Sequence, residues 1–164
     1  MSTDGSGTGG GTPEWFARAD GPEQGEGLRF SCTMCGRCCS GPAGFVLVND
    51  QECAALAKRF GLSVDAFVAQ YTHMLPEGRS LREHVVAGGR GYDCVFLDRT
   101  TVPGKAVCGV YEDRPRQCRT WPFWNSVLRS RESWEQAKAV CPGIDKGTLV
   151  PVTQVRVLRG VVEI

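Results

Sequence analysis

Four cysteines fall within eight residues of the sequence, in the stretch CTMCGRCC at positions 32–39. Thiolates are soft ligands that suit zinc and iron-sulfur clusters, whereas magnesium and calcium prefer oxygen ligands. The chain has nine cysteines but two histidines, and no carboxylate pair has a spacing that would indicate a hydrolase. The residue types and their spacing therefore indicate a metal centre built from sulfur.

The other five cysteines are spread along the chain, and one of them has a different explanation. Cys53 falls on the same predicted helical face as Leu56, Ala57 and Phe60, so we interpret it as a core residue. Eight thiols remain, enough for two four-thiolate sites or for one site and a reserve of thiols. The predicted metal ligands are Cys32, Cys35, Cys38, Cys39, Cys94, Cys108, Cys118 and Cys141.

The spacing within the motif favours iron over zinc. Cys32, Cys35 and Cys38 repeat as C-x-x-C-x-x-C, which matches the three-ligand run of bacterial ferredoxins. The Cys-Pro pair that completes that run is absent nearby, although one occurs at Cys141. Structural zinc sites usually contain two separated pairs of closely spaced cysteines, and here we find the first pair alone. We therefore prefer an iron-sulfur cluster and keep zinc as the alternative cofactor.

The adjacent residues Cys38 and Cys39 constrain how the ligands are shared. Neighbouring side chains diverge in most backbone conformations, so we expect these two thiols to point apart. One cluster that uses both would then be awkward. Two sites, or one site and spare thiols, follow more naturally.

Thiolate clusters carry excess negative charge, which nearby cations must offset. Four thiolates around an oxidised [4Fe–4S] core leave a net negative charge, as do eight thiolates around two zinc ions. Arg37, Arg114 and Arg119 lie within a few residues of a cysteine, as does Arg116, and we predict that they interact with the metal centre. The alternative is that these arginines form a solvated surface.

The segments between the cysteines predict a small α+β domain around the metal centre. Apolar spacing indicates two amphipathic helices, with Asn49 or Asp50 capping the first and Ser63 the second. Gly61 ends the first helix, and His73 ends the second. Short apolar stretches predict strands, of which the last two form a β-hairpin with a cysteine on each arm. The predicted strands are 45–48, 81–86, 93–98 with Cys94, and 106–111 with Cys108.

The C-terminal part of the chain is predicted to add two helices. Asp113 is a suitable cap for a short helix that carries Cys118. A capping box from Ser133 to Gln136 indicates a C-terminal helix with Cys141 on its apolar face. The tail, 150–162, is compatible with a strand or with an amphipathic helix.

The first 28 residues contain eight glycines and no sustained apolar period. We predict a disordered leader over 1–28 and a metal-binding domain over 29–164. Trp15 and Phe16 interrupt the leader, either as a docking motif or, more simply, as residues that fold back on the domain.

Charge and hydropathy limit the partners and the compartment. A net charge of +1 argues against a nucleic-acid partner, and the lack of a long apolar run argues against a membrane partner. We find no export signal after Met1, and the cysteine count is odd. We therefore expect a cytoplasmic protein whose thiols are reduced rather than paired in disulfides.

The cysteine motifs together carry a family resemblance. CTMCGRCC, CVFLD, CGVYEDRPRQCRTWPF and CPG follow one another in this order. They resemble the YkgJ-type cysteine-cluster family, which is named for a CxxCxxCC motif. Its members have been proposed to chelate zinc or iron. The resemblance runs from about Cys32 to Gly143 and implies a small metal-binding domain with the eight predicted ligands at matching positions. Trp121 departs from the family, which commonly has Phe before the proline.

Three functions are compatible with these residues. The first is a metal-binding protein whose centre is structural or a redox centre. The second is a cluster-dependent oxidoreductase or methyl-transfer component that acts on a protein partner. This class is suggested by a more distant resemblance to the flagellin lysine methylases, which are thought to use an iron-sulfur cluster. This chain is short for that chemistry. The third is a thiol redox sensor, which explains two cysteines and leaves six unexplained.

Overall fold

The computed structural model describes residues 14–17, 27–86 and 88–162. Short 3₁₀ turns occur at Trp15–Ala17, Arg37–Cys39 and Tyr111–Asp113. The helices of these described ranges are α1 (Asp50–Phe60), α2 (Val64–Tyr71), α3 (Arg116–Thr120), α4 (Asn125–Leu128), α5 (Arg131–Val140) and α6 (Val152–Arg159).

The strands are short and pair in antiparallel fashion. They are β1 (Gly27–Phe30), β2 (Ser40–Gly41), β3 (Thr72–Leu75), β4 (Gly78–Leu81), β5 (Glu83–Val85), β6 (Tyr92–Cys94), β7 (Leu97–Asp98), β8 (Val107–Cys108) and β9 (Ile144–Pro151). Strand β1 pairs with β9, β3 with β4 and β7 with β8, while β6 lies between β2 and β5. The mixture of helices and antiparallel strands agrees with the predicted α+β class.

Both predicted amphipathic helices are confirmed, but α2 ends at Tyr71 and the predicted last residue, His73, lies in β3. Asn49 caps α1 in a capping box with Glu52, because each side chain accepts a hydrogen bond from the other residue's backbone N–H. Gly61 ends α1 in the left-handed conformation, with φ of 65°, which glycine adopts without strain. Ser63 caps α2 by accepting a hydrogen bond from the N–H of Ala66.

The buried apolar residues form two separate clusters. The first core lies between α1, α2 and the strands that carry Cys94 and Cys108, and it contains Cys53, which is 0% exposed. This placement agrees with the interpretation of Cys53 as a core residue. The remaining members of the first core are Val48, Leu56, Ala57, Phe67, Leu81, Phe96 and Val110.

The second core lies between β1, β9 and helices α4, α5 and α6. Trp134 of α5 is its largest fully buried side chain, and the indole Nε1–H donates a hydrogen bond to Asp145. Cys141, at the end of α5, also belongs to this cluster. The CTMCGRCC motif follows β1 and precedes β2, so it connects the second core to the sheet that borders the first.

The strand predicted at 45–48 is present as a single β-bridge, between Leu47 and Ser80. Side chains, rather than a neighbouring strand, form hydrogen bonds with several of its backbone groups. Ser80 Oγ accepts from the N–H of Val46. The side-chain amide of Gln117 accepts from the N–H of Leu47 and donates to the carbonyl of Phe45.

The predicted hairpin is present but shorter, and Cys94 does not lie on one of its arms. The pairing joins Leu97 to Cys108 and Asp98 to Val107. Cys94 ends β6, which pairs with β2 and β5 instead. The chain bends beyond each cysteine, where the backbone N–H groups of Phe96 and Val110 are directed at sulfur rather than at a neighbouring strand.

Two predicted helix caps are wrong. Asp113 forms an ion pair with Arg59, and Glu52 accepts the hydrogen bond from the N–H of Arg116 that begins α3. Helix α5 begins at Arg131 and is capped by Ser130, three residues before the predicted cap at Ser133. In the tail, the helical alternative is correct for 152–159, while β9 was not predicted before residue 150.

Part of the predicted leader packs on the domain. The indole N–H of Trp15 donates to the carbonyl of Leu128, and Phe16 is buried in the second core, which agrees with the simpler prediction for these two residues. Strand β1 begins at Gly27, two residues before the predicted domain start. Residues 1–13 and 18–26 lie outside the described ranges, so the division of the chain at residue 28 stays a prediction.

Within those ranges, every helix is too short or too polar to cross a lipid bilayer.

Glu14 attaches the N-terminal segment 14–17 to α6 through ion pairs with Arg156 and Arg159. Burial alone would raise the pKa of Glu14, but the hydrogen bonds from the two arginines outweigh burial and hold the pKa below its usual value. The ion pairs therefore stabilise the fold above the pKa of an unfolded glutamate, about 4.3, and this contribution is lost as the pH falls below it.

We expect Glu14→Gln to lower the free energy of unfolding at pH 7 by roughly 0.5–1 kcal/mol, a small value because the arginines are partly exposed. Urea unfolding of both proteins between pH 3 and pH 7 measures the difference, which should shrink below about pH 4. The exposed residue Glu77 supplies the control variant, Glu77→Gln. A difference that stays constant down to pH 3 would contradict the role assigned to the Glu14 charge.

Candidate metal centre

Six of the eight predicted ligands line one cavity, which has a volume of about 110 Å³. The thiols come from four places in the chain, namely the motif, β6, β8 and α3. Much of the remaining wall is apolar, with Phe45, Phe96, Trp121 and Trp124 among its residues. The six thiols are those of Cys32, Cys38, Cys39, Cys94, Cys108 and Cys118.

Gly36 fixes the motif against the hairpin. It has a φ of 72°, and an ideal Cβ at this position would lie 2.4 Å from the Cβ of Ala106, so only glycine fits without displacement. The N–H of Ala106 donates to the carbonyl of Met34 on the other side of the contact. The carbonyl of Gly36 accepts from the N–H of Cys39 and from Ser40 Oγ, which closes the 3₁₀ turn.

Cys38 and Cys39 do not point apart as expected. Their Sγ atoms are 3.7 Å apart and share a hydrogen bond within the 3₁₀ turn Arg37–Cys39. A hydrogen bond from the Cys39 thiol lowers the pKa of Cys38 to about 7. The same bond raises the pKa of Cys39, since that thiol keeps the shared proton.

The three cavity thiols outside the motif, those of Cys94, Cys108 and Cys118, are partly shielded from solvent. Burial raises the pKa of Cys94 to about 11, and it also raises the pKa values of Cys108 and Cys118. The backbone N–H groups of Phe96 and Val110 act in the opposite direction, because each donates to the sulfur two residues earlier. Such N–H donors stabilise thiolates when a metal binds.

Cys35 and Cys141 do not line the cavity. Cys35 is half-buried in the motif, and Cys141 is 8% exposed in the second core. The segments around them are in contact, because the N–H of Ser31 donates to the carbonyl of Gly143 and the Arg37 side chain donates to the carbonyl of Ala139. The motif thus lies along the C-terminal end of α5.

Of the predicted arginines, Arg114 borders the cavity. Its guanidinium lies 3.7 Å from the centre of the Tyr111 ring, and its charge lowers the pKa values of Cys38, Cys108 and Cys118 relative to burial alone. Arg37 is exposed and bonded to the end of α5. Arg119 is exposed on α3 and is not among the cavity-lining residues, so the structure does not bring it to the thiols.

An ion pair near the thiols was not predicted from the sequence. Arg99 binds Asp93 through two hydrogen bonds of 2.8 Å, and Asp93 is 4% exposed. Electrostatic attraction to Cys39 contributes to the raised pKa of Arg99, after the larger effect of Asp93. The sequence does indicate that Asp93, which lies within a predicted strand, needs a cationic partner if it is buried. Sequence spacing alone does not say which arginine is that partner.

The cavity and its donors fit a group of several atoms. Across the described ranges, no three Cys, His, Asp or Glu side chains converge around a single ion as they stand. One water molecule needs about 10–15 Å³ on the scale that gives about 110 Å³ for this cavity. The Nε1–H of Trp121, which borders the cavity, is buried and has no hydrogen-bond partner among the described residues. The atoms of a sulfur-containing cluster would fill the cavity, and a sulfur of the cluster would accept a hydrogen bond from Trp121 Nε1–H.

Comparison with known proteins identifies the family. A family model named CxxCxxCC, with the description "Putative zinc- or iron-chelating domain", matches residues 31–142, more than half of the chain. The chain belongs to the CxxCxxCC family. The match includes all eight predicted ligands, and it supports metal binding without deciding between zinc and iron.

One curated relative of this CxxCxxCC protein comes from an archaeon. Uncharacterized protein MJ0661 of Methanocaldococcus jannaschii is 28% identical over 97 residues, which cover 59% of this chain and 46% of the relative. The chain thus spans about half the length of the curated relative it matches. No solved structure matches the chain.

Gln117 positions the neighbouring Cys118, because its buried amide ties α3 to the segment 45–47. We expect Gln117→Leu to lower the free energy of unfolding by about 2 kcal/mol, since two backbone groups lose their partners. Chemical denaturation measures the loss. Gln136→Leu, at an exposed position of α5, is the matched control and should change stability little. Equal effects of the two substitutions would contradict this role of the Gln117 amide.

Proposed function

We propose that the cavity holds an iron-sulfur cluster and that the chain is a cluster-binding protein. The observation that carries the proposal is the gathering of six thiols around one largely apolar cavity of about 110 Å³. Cys94, Cys108 and Cys118 would supply three ligands, and one thiol of the pair Cys38-Cys39 would supply the fourth. A bound cluster would provide a one-electron redox centre.

The volume of the cavity favours a cluster over zinc. A structural zinc ion requires four sulfurs at about 2.3 Å from one point, so the thiols around this cavity would have to move together. A [4Fe–4S] core places atoms in the space between the thiolates instead. Zinc remains the alternative cofactor, and it would make the centre structural.

Charge compensation is available for a cluster in this position. Arg114 is beside the thiols. The backbone N–H groups of Phe96 and Val110 already point at sulfur atoms, and the indole N–H of Trp121 could join them. Hydrogen bonds to sulfur raise the reduction potential of such clusters and help to hold them.

A redox role is favoured by the exposure of one side of the site. Cys32 and Cys38 are exposed, and the cavity-lining residues Met34 and Tyr111 are 42% and 40% exposed. A cluster near the surface can exchange electrons with a docked protein. The second candidate function is therefore an oxidoreductase or methyl-transfer component that acts on a protein partner, in a reducing compartment such as the cytoplasm.

The first experiment determines the metal. Protein purified without oxygen should contain iron and a matching amount of acid-labile sulfide, with a broad absorption band at about 400 nm from sulfur-to-iron charge transfer. Dithionite should bleach this band, and reoxidation should restore it if the centre is a redox centre. Colourless protein with stoichiometric zinc would overturn the iron-sulfur proposal and leave a structural zinc site.

The second experiment tests the ligands. Cys94→Ser and Cys118→Ser should each reduce the iron content several-fold, because a cluster that loses a thiolate is held weakly. Cys53→Ser is the control, since Cys53 is buried in the first core and does not line the cavity. Elemental analysis of the folded proteins provides the comparison. Loss of iron in Cys53→Ser to the same degree would argue against the assignment of the cavity thiols.

A further inference from the structure

Two adjacent thiols of the motif, those of Cys38 and Cys39, line the cavity, although the proposed cluster needs only one of them. A cluster of this kind takes four thiolates, of which Cys94, Cys108 and Cys118 would supply three. One thiol of the pair is therefore left without a metal. It lies close enough to the other to act on it.

We propose that Cys38 is the fourth cluster ligand and that Cys39 is a positioning residue, whose S–H group donates a hydrogen bond to the Cys38 sulfur. This inference rests on the proposed function, because it assigns separate roles to two thiols of the same site. The hydrogen bond holds the bound sulfur in place and raises the reduction potential of the cluster.

The surroundings of the two sulfur atoms distinguish the ligand from the donor. Cys38 is an electrostatic neighbour of each of the other three thiols, those of Cys94, Cys108 and Cys118. The largest such effects on Cys39, after that of Cys38, come from Cys118 and Cys94 alone. Cys38 is therefore the member of the pair that faces all three remaining ligands.

The hydrogen bond between the two thiols is already formed. Their Sγ atoms lie 3.7 Å apart, and either thiol could be the donor. A cysteine binds metal as a thiolate, which has lost its proton. Once Cys38 is bound, the proton between the two sulfurs can therefore come only from Cys39. A neutral Cys39 also adds no further negative charge to a site that already contains four thiolates.

The backbone on both sides of the donor is held in place. The N–H of Cys39 and the hydroxyl of Ser40 both donate to the carbonyl of Gly36, which closes the 3₁₀ turn. Ser40, the next residue, pairs with Asp93 where β2 meets β6. Cys39 thus lies between a closed turn and a paired strand.

A hydrogen bond to a bound sulfur changes the reduction potential in a defined direction. Reduction adds one negative charge, and a donor stabilises the more negative state more strongly. The reduced cluster is therefore favoured and the potential rises. The backbone N–H groups of Phe96 and Val110 act on Cys94 and Cys108 in the same way. The Cys39 thiol is the side-chain counterpart of these donors.

The test compares iron content and reduction potential among variants of the whole chain, purified without oxygen. Anaerobic titration of the absorption band at about 400 nm measures the potential. Cys39→Ala removes the donor, Cys39→Ser replaces the thiol with a hydroxyl donor, and Cys38→Ala removes the ligand. Cys53→Ala is the control, because it removes a buried thiol that does not line the cavity. Circular dichroism verifies that each variant is folded.

We expect Cys38→Ala to lose iron several-fold, while Cys39→Ala keeps the iron content of the wild type. At the midpoint potential of the wild type, the ratio of reduced to oxidised cluster in Cys39→Ala should fall about tenfold, which corresponds to about 59 mV for one electron. Cys39→Ser should recover much of this shift, and Cys53→Ala should match the wild type.

Three results would overturn these roles while the proposed function survives. If Cys39→Ala loses at least as much iron as Cys38→Ala, Cys39 is itself a ligand. If both variants keep their iron, either thiol can serve as the ligand. If Cys39→Ala keeps both its iron and the wild-type potential, its thiol forms no hydrogen bond to the bound sulfur. A wild type without iron would instead overturn the proposed function and, with it, this inference.

Discussion

Buried thiolates repel one another and lose their hydration, and this electrostatic cost constrains the whole cavity. Burial raises the pKa of Cys94, Cys108 and Cys118, so these thiols keep their protons until a cation replaces them. Arg114 and the backbone N–H groups of Phe96 and Val110 offset part of this cost, whereas the guanidinium of Arg99 is already bound to Asp93. A metal centre is therefore the positive charge that best stabilises all the thiolates at once.

The position of the motif follows from the division of the chain into two cores. The motif leaves β1, which packs on the second core, and enters β2, which pairs with the β6 strand that carries Cys94. Gly36 holds it against Ala106 on one side, and the contact of Ser31 with Gly143 holds it on the other. The motif therefore links the second core to the cavity that borders the first core.

The sequence was informative where a local pattern decides the structure. Apolar periodicity and caps predicted α1 and α2, and the same pattern identified Cys53 as a core residue. It failed where distant side chains compete for backbone groups. Gln117 replaces a strand partner at 45–47, and Glu52 replaces Asp113 as the cap of α3. Likewise, proximity in sequence correctly placed Arg114 near the thiols, yet spacing could not specify Arg99 as the partner of the buried Asp93.

The contacts around the cavity also indicate what metal binding changes. Gln117, the Glu52 cap and the Asp93–Arg99 pair position α3 and β6, and both cores are apolar clusters in their own right. The motif is positioned by the backbone contacts of Ser31, Met34 and Gly36, and its Cys32 and Cys38 are exposed. Ligands that are far apart in sequence would be held together by a shared metal, so its binding energy would add to the energy of folding. A metal bound by these thiols would therefore fasten CTMCGRCC to β6, β8 and α3.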